Sequence, residues 1–101
     1  MKDTSILEIG LDSDRTFYVR PAAGSFEFIY RAGMGVRWDE ARKVLTFRDP
    51  RDVPNIDRLG FVVAACAQEY GVRLSVDAST SLTNLPETFR ADADAFTGRA
   101  S

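Results

Sequence analysis

"LGFVVAACAQEYG", residues 59–71, is the stretch on which the reading of this chain turns. It is a helical pattern set among segments that alternate with period two, so the chain combines one long helix with strands. At about 100° per residue, Ile56, Leu59, Val62, Val63, Cys66 and Tyr70 form one broad apolar stripe that belongs on a sheet. Asn55 is placed to cap the start, and Gly71 to end the helix in a left-handed conformation with Val72 closing it. Beside the stripe lie Gly60, Ala64 and Ala67, a strip with almost no side chain. Phe61 falls with Asp57, Arg58, Ala65 and Gln68 on the side expected to face water. An aromatic ring there calls for a cover. The candidates are the C-terminal segment through Leu85, Phe89 and Phe96, or the same helix of a second copy. The expectation is a homodimer formed about Gly60, Phe61 and Ala64.

Upstream, "SILEIGL" alternates with Leu7, Ile9 and Leu11 on one side and Ile6, Glu8 and Gly10 on the other. "TFYVR" opposes Phe17 and Val19 to Tyr18 and Arg20, and Pro21 ends it. "SFEFIYR", residues 25–31, has the highest β-propensity in the chain and reads as a third strand, with Phe26, Phe28 and Tyr30 on one face and Ile29 and Arg31 on the other. Gly33 and Gly35 permit a tight reversal into "VRW", and "DEAR" makes a hairpin into "KVLTFR". After the helix, "VRLSVDA" is a sixth strand. Asn84 and Glu87 have the spacing of a capping box ahead of a short second helix. The expected fold is a single α+β domain over residues 1–101: an antiparallel meander of about five strands, one long helix on one face, a returning sixth strand and a short C-terminal helix.

Composition narrows the possible activities. With 101 residues, 45% of them hydrophobic and 28% charged, the chain is globular and sized for one core. Its longest apolar run, residues 61–67, is too short to span a bilayer. The start "MKDTSILEIG" lacks the basic and apolar succession of a secretory signal, which leaves the cytoplasm as the expected location. A net charge of −2 offers no general attraction for nucleic acid or anionic membranes. A nucleic-acid-binding sheet would also expose stacking aromatics, whereas Phe26, Phe28 and Trp38 are expected to point inward.

The chain has no histidine, so the commonest general base and the commonest metal ligand are both missing. The single cysteine, Cys66, lies on the buried stripe of the helix, away from its N-terminus, and reads as a packing residue. Lys2 and Lys43 sit at a terminus and a hairpin, poor places for a desolvated nucleophile. The carboxylate pairs at 12–14, 39–40 and 92–94 fall in turns or the tail and read as solvated. The sequence therefore predicts no catalytic residue, no metal site and no cofactor; the expected class is non-enzymatic.

Two surfaces remain. Of the thirteen basic residues only two are lysine. Alternation puts Tyr18, Arg20, Ile29, Arg31, Arg37 and Arg48 on the sheet face away from the helix, an apolar centre ringed by guanidinium groups that suits an acidic or polar protein partner. The plainer reading is an ordinary exposed face whose arginines pair with nearby carboxylates. Alternatively Phe26, Phe28, Tyr30, Trp38 and Phe47 could line a small-molecule cavity between sheet and helix, although five aromatics are more often simply core.

The stretch "GVRWDEARKVLTFRDPRDVPNIDRLGFVVAACAQEYGVRLSV" resembles small bacterial immunity proteins of polymorphic toxin systems. Those proteins run from a strand with Trp-Asp, here Trp38 and Asp39, through a proline-containing loop into a helix that ends in glycine before a strand. "KVLTFR" is an extra strand relative to that pattern. The same character, compact α+β without an evident active site, also resembles proteins of mobile gene cassettes. The first resemblance implies a protein partner.

Overall fold

The computed structural model describes residues 2–13, 16–32, 35–47, 56–77, 80–85 and 87–92. The expected Asn55 cap, Arg48 and Phe96 lie outside them. Six strands form one mixed, curled sheet: β1 (Lys2–Leu11), β2 (Phe17–Pro21), β3 (Val36–Asp39), β4 (Val44–Phe47), β5 (Val72–Ser75) and β6 (Ser81–Thr83). One long helix, α1 (Ile56–Tyr70), and a short helix over 87–92, α2, complete an α+β fold. The class and the numbers of strands and helices are those expected; which segments form the strands, and their order and pairing, differ.

The order is β3-β4-β2-β1-β5, so β4 inserts between β3 and β2 and the chain does not meander. β1 pairs antiparallel with β2, and parallel first with β5 and then with β6. The returning segment expected at 72–78 thus ends at Ser75, and a second short strand follows at 81–83, where sequence alternation is too brief to be read. Thr80 spans the gap, its hydroxyl donating to the Ile6 carbonyl at 2.7 Å.

The expected third strand is absent. Residues 26–32 form a turn and a 3-10 helix, Ile29–Ala32, held by hydrogen bonds from the Ile29 N–H to the Phe26 carbonyl and from the Arg31 N–H to the Phe28 carbonyl, each 3.0 Å. Side chains three apart eclipse in such a helix. Phe26 and Ile29 therefore turn together into the core, at 2% and 1% exposed, while Phe28 and Arg31 turn together to solvent. An alternating Phe-Glu-Phe-Ile-Tyr-Arg sequence satisfies this spacing as well as it satisfies a strand, and burial of Ile29 selects between them.

β1 holds a second departure. The ladder to β2 slips between Ile6 and Glu8. One extra residue reverses the alternation, so Ile6 and Ile9 both enter the core and Leu7 is left 43% exposed. On α1, Leu59, Val62, Ala65 and Cys66 are fully buried, with Val63 and Tyr70 packed at the margin. Ala65, expected to face water, is core. Gly71 adopts φ +64° and its N–H bonds to the Ala67 carbonyl at 3.1 Å, the anticipated left-handed stop. Asn84 does not cap: its own φ is +56°, and its amide reaches the Leu11 carbonyl at 3.4 Å.

Candidate functional site

The sheet face away from α1 follows from the registers. Glu8 lies between Arg20 and Ser81, Gly10 between Tyr18 and Thr83, and Tyr18 is followed across the sheet by Thr46 and Arg37. Glu8 is the hub. It accepts from the Tyr18 hydroxyl at 2.8 Å and the Thr83 hydroxyl at 2.7 Å, and it pairs with the Arg20 guanidinium. The Tyr18 ring lies across Gly10, where no side chain stands in its way, and the Arg42 guanidinium covers that ring at 5.0 Å while gripping Asp12 with two bonds of 2.6 and 2.9 Å. At the far edge Arg73 pairs with Asp3 at 2.9 Å.

This is a satisfied surface. The hydrogen bond from Thr83, then those from Tyr18 and Arg20, hold the Glu8 carboxyl below its usual pKa near 4.5, while burial and the Glu8 carboxylate push the Tyr18 phenol up. A carboxyl depressed in the folded state adds stability above its unfolded value, and loses it as pH falls through the folded one. Denaturant midpoints should therefore fall as pH drops below about 4.5, and Glu8→Gln should be less stable at neutral pH with a shallower acid slope. An unchanged slope in Glu8→Gln would move the acid sensitivity to other carboxylates.

Of the six residues expected at the partner surface, Arg20 and Arg37 are on this face, and Tyr18 is on it but buried at 5%. Ile29 is in the core, for the 3-10 spacing given above, and Arg31 belongs to the 3-10 helix, not to the sheet. The apolar centre expected from Tyr18 and Ile29 is thus not exposed. Arg42, read as part of a turn, supplies the cover over Tyr18 instead; the hairpin that returns the chain at Lys43, with φ +58°, is the signal that places it there.

The expected cavity aromatics separate as well. Phe26 is buried with its ring edge-on to Trp38 and Tyr70, at centroid distances of 5.5 and 5.1 Å. Phe47 stacks on Phe61 at 5.8 Å, leaving Phe61 half exposed. A Cβ at Gly60 would meet nothing within 4 Å, and Ala64 is exposed, so among the described residues no backbone closes on the small-residue strip. Leu85 and Phe89 are in the core, Phe89 beside Phe17 at 5.8 Å. Phe28 and Tyr30 stand outside: they are 47% and 59% exposed, 6.4 Å apart, and Arg31 lies 4.6 Å over the Phe28 ring. The Phe28 N–H is anchored on the Tyr70 hydroxyl at 2.8 Å. Neither Arg31 nor Arg37 has a carboxylate partner among the described residues, in contrast to Arg20, Arg42 and Arg73.

Chemically reactive groups are few. Burial pushes the Cys66 thiol up to about 12, where it is neither nucleophile nor ligand at neutral pH. No helix among the described residues is long and apolar enough to cross a membrane.

A small α+β domain with an ion-paired sheet face and a separate exposed aromatic cluster is the class these features define. The family described as Integron Cassette Protein Hfx_Cass5 matches residues 4–80, and the chain belongs to that family of mobile gene-cassette proteins. A solved structure, the integron cassette protein Hfx_Cass5 from the mobile metagenome of the North West Arm sewage outfall, is 31% identical, covering 97% of this chain and 98% of that one, with a TM-score of 0.48. Comparison with curated proteins found no match. The cassette resemblance is thereby supported, while no immunity protein is among these relatives.

Proposed function

We propose that this cassette protein is a non-catalytic interaction module that captures an acidic protein partner on the surface formed by Phe28, Tyr30 and Arg31. The carrying observation is the exposed Phe28–Tyr30 pair crossed by the Arg31 guanidinium. Aromatic residues and arginine are the types that dominate binding energy at protein interfaces. Among the described residues Arg31 has no carboxylate partner, and its charge would steer a carboxylate-bearing surface toward the rings. Absence of histidine and the inert Cys66 thiol weigh against enzymatic chemistry. An immunity-like role is one form of this reading, with the product of a neighbouring gene as the first partner to test.

Partner capture from the native host, or with that neighbouring product, separates the surfaces. Phe28→Ser with Tyr30→Ser, and independently Arg31→Ala, should each weaken binding about thirtyfold, the effect of losing roughly 2 kcal/mol at an interface hot spot. Arg73→Ala, on the paired part of the sheet, should bind as wild type. Equal recovery by wild type, the double aromatic variant and Arg31→Ala would end the proposal.

A further inference from the structure

Between the end of β2 and the C-terminal end of α1 lies a pocket of about 150 Å³, lined by Thr4, Ala23, Gly24, Phe26, Tyr70 and Val72 among others. Its emptiness has a structural cause. Gly24 takes φ +99° with its backbone against the Phe26 ring, where an added Cβ would stand 3.1 Å from the ring, so Gly24 contributes no side chain to the space between Ala23 and Ser25. Phe26 cannot readily swing in either, because Trp38 and Tyr70 hold its ring from two sides.

The walls are mostly apolar, and their only titratable side chain is a phenol. Two polar groups nevertheless have unused capacity. The Tyr70 hydroxyl accepts from the Phe28 N–H, and its own proton finds no acceptor among the described residues. The half-buried Thr4 hydroxyl likewise makes no hydrogen bond among them. A half-open, mostly apolar pocket of about 150 Å³ is of the size of a benzene-like molecule, well below the volume drug-sized ligands require. We infer that this pocket is a binding site for a small neutral ring bearing one hydroxyl or carbonyl, seated on Phe26 and Val72 and hydrogen-bonded through Tyr70 and Thr4. It adjoins the partner surface, since the Tyr70 hydroxyl also holds the Phe28 N–H, but shares no side chain with it.

Phenol and toluene, matched in size, are the probes. In heteronuclear NMR of the full chain, the Ala23, Thr4 and Val72 methyl signals should shift saturably with phenol, and toluene should bind about tenfold more weakly, the factor that one net hydrogen bond contributes. Thr4→Val keeps the shape and should narrow that preference. Ala23→Leu, at an exposed turn position, should fill the pocket and weaken phenol at least tenfold, with the same spectra reporting that the domain remains folded. Absence of saturable shifts in the wild type, equal affinity for the two probes, or unchanged phenol binding by Ala23→Leu would each overturn the assignment.

Discussion

Phe89→Ala should destabilise the domain by about 3–5 kcal/mol, the usual cost of deleting a fully buried phenylalanine. The Phe89 side chain is 1% exposed and its ring meets that of Phe17, itself inaccessible to solvent, at 5.8 Å. α2 spans only residues 87–92, too short to be helical without tertiary contacts. Removing the ring therefore leaves a cavity against β2 and removes the main reason for α2 to form. Urea denaturation gives the stability change, and faster amide exchange over 87–92 should accompany it. Phe89→Leu, which refills most of the volume, should cost much less. A loss under about 1 kcal/mol for the alanine variant would show that the site collapses without Phe89.

Gly10→Val should cost about 2–3 kcal/mol by forcing the outer face apart. A Cβ at Gly10 would lie 2.3 Å from the Tyr18 hydroxyl oxygen and 2.4 Å from the ring carbon that bears it. The ring must move, and its movement withdraws a hydrogen bond from Glu8 and the aromatic surface beneath Arg42. The cost should depend on Tyr18. In the Tyr18→Ala background the same valine meets no ring, so the two substitutions should be less than additive by more than about 1 kcal/mol, within the range seen for residues in contact. Strict additivity would place the damage of Gly10→Val in the β1 backbone and not in the Tyr18 network.

These two sites also show why the outer face is better suited to holding β1, β2 and β6 together than to receiving a partner. Glu8, Tyr18, Arg20 and Thr83 come from three strands, and their polar groups bond to one another. A partner would have to replace those bonds at a net cost, whereas at Phe28, Tyr30 and Arg31 it displaces only water.

What the sequence by itself determined is the local content. The span of α1 from Leu59 to its left-handed stop at Gly71, the two hairpins, the inward Phe17, Val19 and Leu45, the packing role of Cys66, and the exposure of Phe61 all follow from period, capping and turn chemistry within a few residues. Only the tertiary structure decided the positions where one local pattern admits two conformations. The segment 25–31 fits a strand or a turn with a 3-10 helix equally well, and the choice rests on Ile29 reaching the core beside α1. The slip at Leu7 is invisible to alternation, because only pairing with β2 shows that Ile6 and Ile9 share a face. The insertion of β4 between β3 and β2 and the successive docking of β5 and β6 on β1 are long-range pairings, which a run of residues cannot encode one segment at a time. The 3-10 spacing at 26–32 sends Ile29 inward and sets the exposed aromatic cluster at Phe28 and Tyr30.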